Sequence, residues 1–390
     1  MSIAASAQRI IVGLSGGVDS AVAALLLRDA GLQVQGLFMS NWDEDDVYCT
    51  AAQDYQDARS VAHELGIVLH RVNFADQYRE QVFSQFLAEH RAGRTPNPDV
   101  LCNREIKFGL CLQYVRRLGA ELFATGHYAQ LRQLADGPAL YQAHDSGKDQ
   151  SYFLHAVPRA RFAQIRFPLG ELLKTQVRER ARSAGLPVHD KPDSTGICFI
   201  GERPFAPFLG RYLPQQPGPI EASDGRVLGH HRGLAFYTLG QRAGLAIGGA
   251  RGCPQEPWYV AHKDGARNAL IVVQRHEQHR LEVSCVATGP MNWLCSTPAG
   301  RLDAEVKLRY RQPAQPATVS IQADGGARIE FDVPQRAATP GQFAVLYQRG
   351  RCLGGGVLER TGLDVEAEFE LERRNGSYPR SFATDIIRSS

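Results

Sequence analysis

Long hydrophobic runs are missing from this sequence. No apolar stretch approaches the ~20 residues needed to cross a bilayer, and residues 1–9 carry no apolar leader core. These absences argue against a helical membrane protein and predict a cytoplasmic one with no membrane partner. Paired cysteine spacing is also missing. Eight cysteines are scattered along the chain and no two stand as Cys-x-x-Cys, which argues against a zinc ribbon and against a secreted disulfide framework. Charge of one sign is scarce, with a net of only +3, so overall charge selects no partner. No internal repeat is visible. What remains is an ordinary globular composition over 390 residues, too long for one core and enough for two or three domains.

Against that background, Ser15-Gly16-Gly17-Val18-Asp19-Ser20 stands out. An apolar run, Ile10-Ile11-Val12, precedes it, and a helical pattern, Ala21–Ala30, follows. Glycines let backbone N–H groups approach an anion where a side chain would block them. The following helix offers the positive end of its dipole to the same anion. Ser15 and Ser20 can hydrogen-bond phosphate oxygens, and Asp19 can hold Mg²⁺ or orient the loop. No Gly-Lys-Ser/Thr follows, so this is not a Walker A loop. It resembles the pyrophosphatase loop of enzymes that cleave ATP to AMP and pyrophosphate.

The first half alternates strand and helix: strands at 10–14, 34–39, 67–74 and 121–124, helices at 20–30, 51–65, 78–89 and 104–118. That alternation predicts a parallel sheet with helices on both faces, its ligands at the carboxyl ends of the strands. Pro204, Pro207, Pro214, Pro217 and Pro219 read as a linker. Beyond them, short strands at 269–273, 282–287, 304–309, 317–321 and 343–347 predict a β-rich half closing into a small barrel. Between Arg159 and Arg182, seven basic residues meet two acidic ones. Lys174, Arg178 and Arg182 share one face of a helix, a stripe suited either to a polyanion or to solvent. In the tail, Leu363 to Glu372 alternates apolar residues with carboxylates, as an edge strand or a solvated extension would.

Two cysteines sit in chemically suggestive settings. Cys102 follows Pro96-Asn97-Pro98-Asp99, with Asn103 read as the N-cap of the next helix. A thiol at a helix N-terminus favours thiolate, and Asp99 is placed to exchange a proton. Cys111, on the apolar stripe of that helix, reads as core. Cys198 lies in Ser194-Thr195-Gly196-Ile197-Cys198-Phe199-Ile200-Gly201, a buried strand or a mobile loop carrying a thiol.

These blocks together resemble the tRNA-specific 2-thiouridylases, which place sulfur on the wobble uridine of certain tRNAs. The match also takes in Ala124–Tyr128, Gly147–Leu154, Tyr237–Leu245, Arg309–Arg311 and Pro340–Gln342, covering about residues 9–357. The resemblance implies an ATP-pyrophosphatase α/β catalytic domain over 1–205, whose basic helix 171–184 packs with a small central domain over 206–275. A C-terminal β-barrel over 276–360 follows, then an extension over 361–390 without assigned role. It implies ATP binding by Gly13, Leu14, Ser15, Gly16, Gly17, Val18, Asp19, Ser20, Met39 and Gly126, with Mg²⁺ carried by the nucleotide. Asn97, Pro98 and Asp99 would meet the target base. His127, Lys148, Asp149, Gln150, Arg309, Tyr310 and Gln342 would contact tRNA at its anticodon stem-loop, with the basic helix facing it too. Cys102 would be the nucleophile and Cys198 the carrier of a persulfide delivered by a sulfur-donor protein. Their transient Cys102–Cys198 disulfide would be reset by a cellular reductant.

Rival readings are another ATP-to-AMP ligase acting on a carbonyl, which would need no cysteine pair, and a non-catalytic ATP-dependent tRNA-binding module. A third places an iron–sulfur cluster on Cys102, Cys198 and Asp99.

Overall fold

A computed structural model describes residues 8–42, 51–193, 205–247 and 256–361. Cys198 and the alternating tail lie outside these residues.

The first unit is a five-stranded, fully parallel sheet ordered β3-β2-β1-β4-β7. Its strands are β1 (Arg9–Gly13), β2 (Gln33–Ser40), β3 (Leu69–Asn73), β4 (Leu122–Ala124) and β7 (Ile165–Arg166). Ile10, Ile11 and Val12 are wholly buried, as a strand covered on both faces requires. One face packs on α1 (Val18–Asp29), α2 (Ala51–Glu64) and the basic helix Lys174–Ser183, through Val22, Ala58, Val61, Val177 and Ala181. Among the described residues the basic helix packs on α1. The other face is covered by helical runs over Ala75–Arg91 and Pro98–Arg117. Strand order turns outward in opposite directions from β1 and β4, so the crevice beyond their carboxyl ends is the expected ligand site.

Between the strands lies a hairpin the periodicity did not reveal, β5 (Gln130–Leu134) and β6 (Gly137–Tyr141). Its strands are short and half-exposed, so they carry little apolar alternation.

The stretch from Phe205 to Pro219 is no open linker. Phe205–Leu209 is helical, and Phe208, Leu209 and Leu213 are buried in the main core, where Phe208 meets Trp42 and Phe83 edge-on or tilted. The prolines punctuate turns while the aromatic residues supply burial that holds the segment down. The central sheet runs β10-β11-β8-β9, from β8 (Gly218–Ala222), β9 (Val227–His231), β10 (Tyr259–Asp264) and β11 (Ala269–Val273).

The C-terminal unit closes as a six-stranded barrel, β12-β16-β15-β14-β17-β18, with β12 pairing back to β18. Its strands are β12 (Glu282–Thr288), β14 (Arg301–Lys307), β15 (Gln315–Ile321), β16 (Ala327–Arg336), β17 (Phe343–Gln348) and β18 (Arg351–Thr361), and β13 (Asn292–Trp293) pairs with β18 from outside. The β5–β6 hairpin joins this sheet where Tyr141 pairs with Arg351. One hydrophobic cluster runs through all three units, from Phe86 and Phe108 through Leu209 and Leu270 to Phe343 and Tyr347.

Candidate active site

The loop after β1 is shaped by one glycine above all. Gly16 has φ of +77°, and a Cβ there would lie 2.3 Å from the Asp54 carbonyl oxygen. Only glycine satisfies both constraints. The Ser20 hydroxyl bonds back to the loop, to the Gly17 carbonyl at 3.0 Å and from the Ser15 amide at 3.1 Å. Gly17 begins α1 without a side-chain cap, so the helix N-terminus offers its amides outward. From the end of β4, Gly126 presses on the same helix start, where an added Cβ would stand 2.7 Å from the Ser20 nitrogen. The glycine loop and the Thr125–His127 turn thus form one wall.

A network of charge that sequence reading missed holds this wall. Lys174 donates to both Asp19 oxygens at 2.7 and 2.8 Å and lies 2.7 Å from Asp193. Tyr128 donates its hydroxyl to Asp19 at 2.8 Å. Asp193 also takes Lys148 at 2.7 Å and Arg178 at 2.8 Å. Burial opposes ionisation of Asp193, but the hydrogen bonds from Lys148 and Lys174 outweigh it and hold its carboxyl down at about 2. Lys191 donates to the Gly16 carbonyl at 3.1 Å and to Asp54 at 2.7 Å, and pairs with Asp57. With both its oxygens taken by Lys174 and one also by Tyr128, the Asp19 carboxylate is held against the loop. Among the described residues no group of three His, Cys, Asp or Glu could hold a metal. The basic stripe is likewise redirected: Lys174 and Arg178 turn inward to carboxylates, and Arg182 reaches Asp190 at 3.4 Å. Lys174 and Arg178 are thereby committed to the carboxylates of the loop wall, while Arg180 and Arg182 stay exposed.

At the end of β2, Met39 is half-buried and Asn41 fully buried, both polar side-chain atoms of Asn41 lacking a hydrogen-bond partner, as does the Trp42 indole N–H. Unpaired buried amides are costly. Together with the uncapped start of α1, they fit a polar ligand at this edge, such as a nucleotide.

The Cys102 helix starts earlier than its sequence suggests. Asn97, not Asn103, is the N-cap, accepting from the Asp99 amide at 3.2 Å, with Pro98 at the first helical position. Cys102 therefore sits a turn inside, where the run becomes π-helical over Cys102–Leu110, and beyond the reach of the terminal dipole. It is fully buried. Asn103 is buried too, donating to the Phe153 carbonyl at 3.3 Å, its own side-chain oxygen unpartnered. Asp99 is half-buried in the first turn. Cys111 is core as expected, its thiol pushed far up by burial. Phe108 on this helix meets the His127 ring at 5.6 Å, which links it to the nucleotide-loop wall.

The residues expected at tRNA divide. Lys148, Gln150 and Tyr310 are partly exposed, Tyr310 resting on Phe153 at 4.5 Å. His127 is buried between Phe108 and Phe167, bonded to Thr125 at 2.7 Å, and burial, then the nearby Lys107 charge, hold its pKa well below the ordinary value. Asp149 is 2% exposed and accepts from Ser151 and the Ala143 amide, a loop hub rather than a surface contact. Arg309 spends one guanidinium nitrogen on the Leu239 and Ala337 carbonyls and Thr339 at 2.8–3.0 Å. Gln342 donates to the Thr95 carbonyl at 2.7 Å.

This is a HUP-type α/β domain fused through a small central domain to a β-barrel. Family models match each part: "tRNA methyl transferase HUP domain" over residues 8–202, "tRNA methyl transferase PRC-barrel domain" over 206–274 and "Aminomethyltransferase beta-barrel domain" over 283–358. The chain is 54% identical over 365 residues to the tRNA-specific 2-thiouridylase MnmA of Marinobacter nauticus, covering 92% of this chain and 93% of that one. It is 55% identical over 359 residues to the protein of the same name from Halorhodospira halophila, covering 91% and 94%, and 54% identical over 356 residues to that from Alcanivorax borkumensis, covering 90% and 98%. The chain belongs to the tRNA-specific 2-thiouridylase family.

Proposed function

We propose that this protein catalyses ATP-dependent 2-thiolation of the wobble uridine in tRNA, giving 2-thiouridine, AMP and pyrophosphate. The observation that carries the reading is the shared wall: the pyrophosphatase-type loop, Gly126 and the helix bearing Cys102 meet at one edge of the parallel sheet.

Uridine's C2 oxygen is a poor leaving group. Its attack on the α-phosphorus of ATP expels pyrophosphate and turns it into the oxygen of an AMP leaving group. Residues 13–20, Met39 and Gly126 bind the nucleotide, the amides at the start of α1 taking the developing phosphate charge. Mg²⁺ travels with the nucleotide and neutralises phosphate charge; no protein ligand is assigned to it. Asn97, Pro98 and Asp99 meet the base, which must leave its stack, and Asp99 exchanges a proton.

Cys198 carries the terminal persulfide sulfur from a donor protein. By one route that sulfur attacks C2, AMP leaves, and the Cys102 thiolate attacks the Cys198 Sγ, breaking the S–S bond and leaving sulfur on C2. By the other, Cys102 first releases hydrosulfide, which then attacks C2. Both end in a Cys102–Cys198 disulfide that a two-electron cellular reductant resets. Because Cys102 is fully buried here, either route needs the helix or its cover to move when tRNA docks. Lys148, Gln150 and Tyr310 are the partly exposed members of the proposed tRNA contact set.

Nucleoside mass spectrometry of total tRNA after incubation with ATP and a persulfide donor tests this. One AMP and one pyrophosphate per 2-thiouridine is the expected balance. Cleavage of ATP to AMP with no sulfur in the anticodon would overturn it in favour of another carbonyl-activating ligase, and formation of ADP would remove the adenylation step.

A further inference from the structure

We propose that the Pro340–Gln342 turn of the barrel is a positioning element for the reaction centre. It acts by holding the backbone strap Gly93–Thr95, which leads directly into Asn97–Cys102. The inference rests on the proposed role of Asn97–Cys102.

The strap is gripped from two other units. Both backbone groups of Thr95 are taken by the turn: its amide donates to the Pro340 carbonyl at 2.9 Å, and its carbonyl accepts from Gln342 Nε2 at 2.7 Å. Gly341 has φ of +91°, and a Cβ there would lie 2.9 Å from the Thr95 nitrogen and 3.0 Å from the Arg94 Cβ. Such closeness admits no side chain. The turn is itself fixed to β18, with Gly341 donating to the Leu358 carbonyl at 2.8 Å and Leu358 donating to the Gln342 carbonyl at 2.7 Å. From the central domain, Lys263 donates to the Gly93 carbonyl at 2.9 Å and Thr238 shares a hydroxyl contact with Thr95 at 3.3 Å. Beyond Thr95 the chain has little slack. Pro96 and Pro98 are buried and fix their φ angles, so a shift at Thr95 is carried to the Asn97 cap and, one turn later, to Cys102. Gln342 thus spends its amide on protein backbone, which makes it a positioning residue for a site in another domain.

Amide hydrogen exchange on the full-length, tRNA-free protein tests this, alongside steady-state thiolation. Gln342→Ala and Gly341→Ala should each speed exchange at least tenfold in peptides spanning 93–102, while peptides spanning β1 and α1 stay as in wild type. The kcat for thiolation should fall tenfold or more, with the tRNA Kd changed less than twofold. Unchanged exchange in the strap would overturn the proposal. So would a weakened tRNA Kd at unaltered kcat, which would make Gln342 an RNA contact instead. If Gly341→Ala proves too unstable to purify, Gln342→Ala alone decides, since it removes one hydrogen bond and adds no clash. The exchange arm involves no reaction, so it reads the strap even if the thiolation assignment fails.

Discussion

Cys102 and Cys111 lie on one helical run and are both fully buried, yet their neighbourhoods differ. Cys111 faces the core, and its thiol is pushed far above reactive range by burial. Cys102 follows a proline-stiffened segment gripped by other domains. Cys102→Ser and Cys198→Ser should each abolish 2-thiouridine, with tRNA affinity within about twofold of wild type. Cys111→Ser should retain thiolation and lose stability. Nucleoside mass spectrometry and tRNA-binding titration separate these outcomes, and normal thiolation by either of the first two variants would defeat the two-thiol scheme. At Gly16, alanine forces a Cβ onto the Asp54 carbonyl in a backbone conformation L-residues avoid; pyrophosphate release should fall by about a hundredfold, ~3 kcal/mol of barrel-independent loss in nucleotide handling. Asp193 gives a pH signature. Its carboxyl is held at about 2, below the ordinary ~4. The stability it contributes is therefore full above the ordinary value and lost as pH falls from about 4 toward 2. Acid unfolding of Asp193→Asn should show a shallower slope in that window than wild type.

At the scale of elements, two helices differ from what their spacing suggests. Spacing alone gave Lys174–Ser183 a basic stripe, and spacing was right about which residues share a face. What it could not see is that Asp19 and Asp193 lie opposite that face, 155 and 19 residues away along the chain. Lys174→Ala should therefore cut pyrophosphate release at least tenfold, by freeing Asp19 to swing, and leave the tRNA Kd within twofold. A tRNA-facing helix would give the reverse pattern in a filter-binding assay. The Cys102 helix was legible from Arg104 onward by its apolar stripe. Its true start, at Asn97-Pro98, is a capping pair that the sequence displays; Asn103 is a cap former too, and only its burial beside Phe153 decides between them. The hairpin β5–β6 was illegible because its packing partner, β18, lies more than 200 residues away.

At the scale of the whole molecule, the three units share one apolar cluster, and the β5–β6 hairpin joins the barrel sheet through Tyr141 and Arg351. Ser151 and Tyr347 hydroxyls meet at 3.1 Å, and Asn292 donates to the His155 and Val157 carbonyls across the same seam. Arg309 ties the barrel to the central domain. Calorimetry should accordingly show one cooperative unfolding transition, and Arg309→Ala should lower stability by about 2 kcal/mol, because it strands half-buried carbonyls. Two separated transitions would contradict this account of the seam.

By itself, the sequence determined the parallel sheet and the C-terminal barrel, since each is written in local periodicity and in glycine and proline placement. Tertiary structure alone decided which charges meet Asp19 and which asparagine caps the Cys102 helix. It also decided that His127 and Asp149 lie inside, and that Gln342 reaches across a domain boundary to Thr95. Those contacts join residues far apart in the chain, and a hydrogen bond or an ion pair depends on separations of a few ångströms that no spacing in sequence can encode.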